Sequence, residues 1–257
     1  MRRTTIDVGG RRLETAQWDG DRAEPTIVML HEGLGCIDLW RDTPEQLAAR
    51  TGCPVFAYSR FGYGRSDAEP LPWPPTYMHT QALDVLPNLI DAAEIESAIL
   101  LGHSDGGSIA AIYAGARADP RIKGIVLIAA HFFVEDLNIA AIERIAGDYK
   151  TGGLRDRLGR YHNDVDATFH GWNGAWLNPA FRSFDIVGLL PDIAVPMLAL
   201  QGADDPYGTD AQLRVLQQHV RSPLRTVLIP DARHAPHLEA REPTLAEVTR
   251  FIMDIAL

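Results

Sequence analysis

The sequence predicts an α/β fold: a mostly parallel central sheet with helices on both faces. Three observations lead there. Short apolar runs recur along the chain, stretches of helical periodicity separate them, and the runs are apolar at nearly every position. Near-continuous apolarity marks strands buried on both sides, and the intervening helices supply the crossovers that parallel neighbours need.

The opening segment, 4–18, reads as a hairpin on an antiparallel edge, because Gly9-Gly10 interrupts two strand-like runs. Buried strands follow at 26–30, 54–58, 97–101, 122–130, 195–201 and 224–229. The amphipathic stretches 40–50, 77–93, 108–118, 211–220 and 244–256 are long enough for helices. The alternation breaks between 132 and 192, where Asp, Arg, Gly and aromatic residues occur without a buried strand. That stretch is expected to be a small helical cap inserted into a core of 1–131 and 193–257, a lid over a site at the strand ends.

At 257 residues the chain can bury a full core without disulfides or metals. Its two cysteines, Cys36 and Cys53, read as buried thiols, which suits a reducing compartment. A formal charge of −10 with no basic run argues against nucleic acid and against polyanionic substrates. After Arg2-Arg3 come Thr4, Asp7 and two glycines where an export signal needs an apolar stretch. The longest apolar segment, 125–134, is too short for a bilayer. A cytoplasmic protein with no membrane partner is expected.

The chemistry centres on Gly102-His103-Ser104-Asp105-Gly106, a G-x-S-x-G frame between an apolar strand and an Ala-rich helix. A serine at such a junction is lifted clear of the sheet by a sharp turn. It needs a base to take its proton and an acid to orient that base, and both follow on later strand ends. The strand 195–201 runs into Gly202-Ala203-Asp204-Asp205-Pro206, and 224–229 runs into a loop carrying His234 and His237. Metal chemistry is disfavoured: His31-Glu32 lacks the second His of H-E-x-x-H, since Gly35 stands there, and His234 and His237 have no further ligands at metal spacing.

With Ser104, the Asp205 turn and the His234 loop in that order, nearly the whole chain resembles the α/β-hydrolase superfamily. The resemblance implies Ser104 as nucleophile, His234 as base and Asp205, counted from Gly202, as the orienting acid, leaving Asp204 elsewhere. It implies an oxyanion hole from the Asp105 N–H and a second donor, Gly33 or Leu34, in His31-Glu32-Gly33-Leu34-Gly35, where Glu32 replaces the usual Gly. The family's D-x-x-G-x-G-x-S loop is matched from Ser59 to Ser66, with Ser59 in place of Asp. The Asp105 side chain reads as a solvated or helix-capping group and His237 as a supporting or surface residue. Of the cap aromatics, Phe169, Trp172, Trp176 and Phe181 are expected mostly to pack the lid, with Trp172 and Trp176 joining His131 and Tyr207 as candidate pocket residues.

The implied activity is cofactor-free hydrolysis of a small carboxylic ester or lactone through an acyl-enzyme. Carbon–carbon hydrolases of ring-cleavage products share the triad, but the Trp that often follows their His is Ala235 here. A small-ligand receptor on the same fold is the non-enzymatic alternative.

Overall fold

Gly9 and Gly10 both take positive φ, 64° and 81°, the conformation a two-residue hairpin turn requires. They join β1 (Arg2–Val8) to β2 (Arg11–Trp18), the antiparallel edge expected from the sequence. The structure, a computed structural model, describes residues 1–21 and 23–256; Arg22 and Leu257 of the expected core lie outside the described residues.

Six more strands complete the sheet: β3 (Thr26–Leu30), β4 (Val55–Tyr58), β5 (Ala98–His103), β6 (Ile122–Ile128), β7 (Met197–Gly202) and β8 (Leu224–Ile229). Their order is β1-β2-β4-β3-β5-β6-β7-β8, parallel from β4 onward, with β2 antiparallel to β4. The helices are α1 (Thr43–Thr51), α2 (Tyr77–Thr80), α3 (Leu86–Ala92), α4 (Asp105–Ala116), α5 (Asp136–Thr151), α6 (Leu154–Leu158), α7 (Val165–Trp176), α8 (Ala211–His219), α9 (Pro236–Glu239) and α10 (Arg241–Ala256).

Period-two alternation splits the strand residues between two apolar layers. Ile27, Met29, Ile99, Leu101, Val126 and Ile128 pack with Leu47 of α1 and with Leu245, Val248 and Ile252 of α10. Val28, Leu30, Leu100, Ile125 and Leu127 face the other way, toward α3, α4 and α8. Both faces are therefore dry, which is why these strands read as unbroken apolar runs.

Two helices differ from expectation. The stretch 77–93 is helical from Tyr77 to Ala92, but a π-helical turn, Gln81–Val85, joins α2 to α3 within it. Pro87 has no N–H to offer the Leu83 carbonyl four residues back, and Arg117 Nη2 donates to that carbonyl instead at 2.9 Å. At 40–50, Ile37–Trp40 is a separate 3₁₀ turn and α1 begins at Thr43, with Pro44 in its first turn where proline is tolerated.

Between β6 and β7 the chain forms α5, α6, α7 and two 3₁₀ turns, Pro179–Ser183 and Val187–Asp192. Its one strand-like contact among the described residues is an isolated bridge, Phe133 to Asp185. Cys36 and Cys53 are buried and free. Among the described residues no helix is long and apolar enough to cross a membrane.

Candidate active site

Ser104 is the single residue between β5 and α4, and its backbone sits at φ 51° and ψ −119°, a region non-glycine residues rarely occupy. The turn is tight enough to dictate its neighbours. A Cβ on Gly102 would lie 2.2 Å from the Gly106 carbonyl oxygen, and one on Gly106 would lie 2.0 Å from that of Leu30. The Ser104 N–H donates to the Ile128 carbonyl at 2.8 Å, which anchors the turn to β6.

The Ser104 hydroxyl lies 2.9 Å from His234 Nε2, and His234 Nδ1 lies 3.0 and 2.8 Å from the two oxygens of Asp205. An ionised carboxylate only accepts, so Nδ1 carries the imidazole proton and Nε2 presents a lone pair to the serine. Gln201 Nε2, at 2.5 Å, and the Tyr207 N–H, at 2.8 Å, also donate to Asp205. Burial pushes the Asp205 carboxyl up, yet the hydrogen bonds from His234 and Tyr207 outweigh it and hold the group below the usual carboxylate range. Asp204 is exposed, and its N–H donates to the Ala232 carbonyl at 2.9 Å, which ties the acidic turn to the histidine loop. Of the two adjacent carboxylates, Asp205 is the one that meets the imidazole.

A cavity of about 100 Å³ opens on Ser104 and His234, walled by Gly33, Leu34, Asp105, His131 and Tyr207 from the core. Asn138, Ile142 and Ile145 of α5 and Trp172 and Trp176 of α7 close it from the inserted segment. Among the described residues the N–H groups of Asp105, Gly33 and Leu34 have no acceptor within the protein. His131 stacks on His234 with ring centroids 5.8 Å apart, and Tyr207 lies 4.6 Å from the same ring. Phe169 stacks on Tyr149 and Phe181 on Phe184, and neither lines this cavity.

The profile of the alpha/beta hydrolase family matches residues 27–247. The chain belongs to that family. A non-heme chloroperoxidase of Streptomyces lividans is 30% identical over 241 residues, 81% of this chain and 84% of that protein. The 3-oxoadipate enol-lactonase 1 of Acinetobacter baylyi is 25% identical, covering 94% and 93%. A shorter match, 29% identical to the 1-acylglycerol-3-phosphate O-acyltransferase ABHD5 of Mus musculus, covers 52% of this chain and 38% of that protein. Among solved structures, the enol-lactonase from Burkholderia xenovorans LB400 shares the fold with a TM-score of 0.75 at 23% identity, covering 97% and 99% of the two chains.

In this hydrolase-family member the Asp105 side chain departs from the sequence reading, and His237 falls on one of its two alternatives. The Asp105 carboxylate is not a solvated helix cap: it is 1% exposed and accepts from Tyr77 Oη at 2.6 Å and Trp176 Nε1 at 3.3 Å. Burial pushes its carboxyl up, against the opposing charge of Arg60. Of the supporting and surface readings of His237, burial against Trp40 and His103 at ring separations of 5.1 and 4.7 Å excludes the surface one.

Other functional candidates escaped the sequence. Glu14 of β2 brings a buried carboxylate to the place left by Ser59, accepting from Ser59 Oγ at 2.8 Å and from the Arg65 N–H at 3.0 Å. The loop thus regains an acidic acceptor from a different strand. His103 Nε2 lies 2.8 Å from the His234 carbonyl and its Nδ1 3.4 Å from Glu32. Burial alone would lower the His103 pKa, but Glu32 and that carbonyl more than reverse it.

His31, His131 and His237 are held neutral chiefly by burial, His131 down to about 3 and the others well below the ordinary range. The unfolded chain binds protons at these positions below about pH 6.5 while the native state does not, so stability falls with pH by about 1.4 kcal/mol per unit for each. Burial lowers His79 and His162 as well, so His103, raised and working in the opposite direction, is one histidine against five. The melting temperature is expected to be level from pH 8 to 7 and to fall steeply between about pH 6.5 and 5. An unchanged melting temperature at pH 5 would contradict the neutral assignments.

Proposed function

We propose that this protein is a serine hydrolase that cleaves small carboxylic esters or lactones through an acyl-enzyme. The observation that carries the reading is the unbroken hydrogen-bonded line from Ser104 Oγ through the His234 imidazole to Asp205. Ser104 attacks the carbonyl carbon while His234 Nε2 takes its proton, and Asp205 stabilises the imidazolium. The carbonyl oxygen, now an oxyanion, is met by the Asp105 N–H and by the Gly33–Leu34 loop, whose amides are free to donate. Collapse expels the alkoxide, which takes the proton from His234; in a lactone it stays tethered to the acyl group. His234 then removes a proton from water as that water attacks the acyl carbon, and collapse of this second intermediate releases the acid while His234 returns the proton to Ser104 Oγ. Residues 132–192 serve as a cap that walls the acyl pocket while the reacting groups stay on the sheet.

Pocket size supports a small substrate. About 100 Å³ is well under the ~300–1,000 Å³ of drug-sized sites, and Leu34, Ile142, Ile145 and the two Trp rings favour an apolar acyl group. The full-length similarity to an enol-lactonase supports lactones within the same chemistry. Steady-state hydrolysis of p-nitrophenyl esters from acetate to octanoate tests the reading. Turnover is expected to favour acetate and butyrate by about tenfold or more over octanoate. Equal kcat/KM across the series, or no turnover of any ester, would overturn it.

A further inference from the structure

Arg60 follows β4 directly after Ser59, and its side chain is fully buried, at 0% exposure, beneath the loop that carries Gly33. Every hydrogen bond it makes with that loop falls on two residues. Its backbone N–H donates to His31 Nε2 at 3.0 Å, its Nη1 donates to the His31 carbonyl, and its Nη2 donates to the Glu32 carbonyl at 3.0 Å. Because His31 Nε2 accepts, the ring proton is on Nδ1, which donates to the same Glu32 carbonyl at 2.7 Å. That carbonyl also accepts the Gly35 N–H at 3.1 Å, so the turn, the His31 ring and Arg60 hold it together, and of these three donors Arg60 is the one that reaches it from outside the loop.

The Glu32 carbonyl and the Gly33 N–H belong to one peptide unit. In a planar trans peptide they point in opposite directions, so fixing the carbonyl toward Arg60 turns the Gly33 N–H away from it. That N–H has no acceptor within the protein, and Gly33 lines the cavity over Ser104. The same Nη2 sits 3.6 Å from Asp105 Oδ2, on the residue that offers the other free amide, and the Tyr63 ring lies 4.7 Å from the guanidinium carbon.

We propose that Arg60 is a positioning residue for the oxyanion hole, a buried guanidinium that aims the Gly33 amide and ties its loop to the turn carrying the Asp105 amide. The inference rests on the serine-hydrolase reading. Arg60 does not touch substrate; it sets the direction of one donor and the separation of two. A fork that spans two successive carbonyls and a carboxylate is a geometry that a lysine ammonium does not reproduce.

The test compares wild type with Arg60→Met and Arg60→Lys, using p-nitrophenyl butyrate as substrate. The transition-state probe is 1,1,1-trifluoro-2-pentanone, whose carbonyl becomes an oxyanion when Ser104 adds to it. Removing one oxyanion donor costs about 10²–10³ in kcat in well-studied hydrolases, so a mis-aimed donor is expected to cost about 10- to 100-fold. The expected result is that loss in kcat with KM within about threefold, and trifluoroketone affinity falling in step with kcat/KM. Arg60→Lys keeps a cation opposite Asp105 and carries the test where Arg60→Met does not fold. Retention of kcat and ketone affinity within about twofold in a folded variant would overturn the proposal, as would a kcat loss with ketone affinity unchanged. Wild type that turns over no ester and forms no ketone adduct would instead overturn the serine-hydrolase reading, so the two failures are distinct.

Discussion

Ser104→Ala is expected to abolish ester turnover, lowering kcat by about 10⁵- to 10⁶-fold, the size of nucleophile loss in other serine hydrolases. The fold is expected to survive. The hydroxyl's one hydrogen bond is to His234, and the backbone bonds that build the turn, from the Ser104 N–H to Ile128 and into the Ser104 carbonyl from Gly107 and Ser108, do not depend on it. Alanine also bears the same Cβ at φ 51°, so the strain of the turn is unchanged. Melting temperature and kcat measured on the same preparation separate the two effects. Turnover above a few per cent of wild type would mean that another group carries the chemistry.

The second large effect is expected at Asp205. In Asp205→Asn an amide that keeps its oxygen for the Tyr207 N–H puts its nitrogen at the Oδ2 position, facing His234 Nδ1 and requiring the Gln201 amide, which donated there, to turn its oxygen inward. An amide N–H facing Nδ1 favours the tautomer with the proton on Nε2, which has no lone pair left for the serine. The analogous change in a well-studied serine protease costs on the order of 10⁴ in kcat. Asp204→Asn, one position earlier but exposed and remote from the imidazole, is expected to stay within about twofold of wild type. Steady-state kinetics of the two variants side by side decide the matter: a crippled Asp204 variant with a near-normal Asp205 variant would reverse the assignment.

Ser104, Asp205 and His234 were legible in the sequence because each lies just past a strand whose apolar run announces it. The end of a buried strand fixes where the next residues emerge, so three such ends converge on one edge of the sheet. Asp105 was legible only through its backbone. A carboxylate in the first turn of a helix ordinarily faces water, and what buries this one comes from Tyr77, 28 residues away, and from Trp176, 71 residues away. No local pattern announces such partners. Ser59 looked like a loss at a family position for the same reason, since its carboxylate is supplied by Glu14, 45 residues earlier on β2. His237 follows Pro236 in the short helix α9, among polar neighbours in sequence, and only the packing of Trp40 and His103 around it makes it an interior residue. The π turn that joins α2 to α3 was written locally only as Pro87, and apolar periodicity continues through it.

The central claim, that Ser104 is a nucleophile activated by His234, is tested most directly by covalent labelling with a fluorophosphonate, followed by mass spectrometry of the modified peptide. One adduct per chain is expected, located on Ser104, absent in Ser104→Ala and formed at least about a hundredfold more slowly in His234→Gln, where the base is removed. An adduct on any other residue, or an unlabelled protein that still hydrolyses esters, would contradict the account.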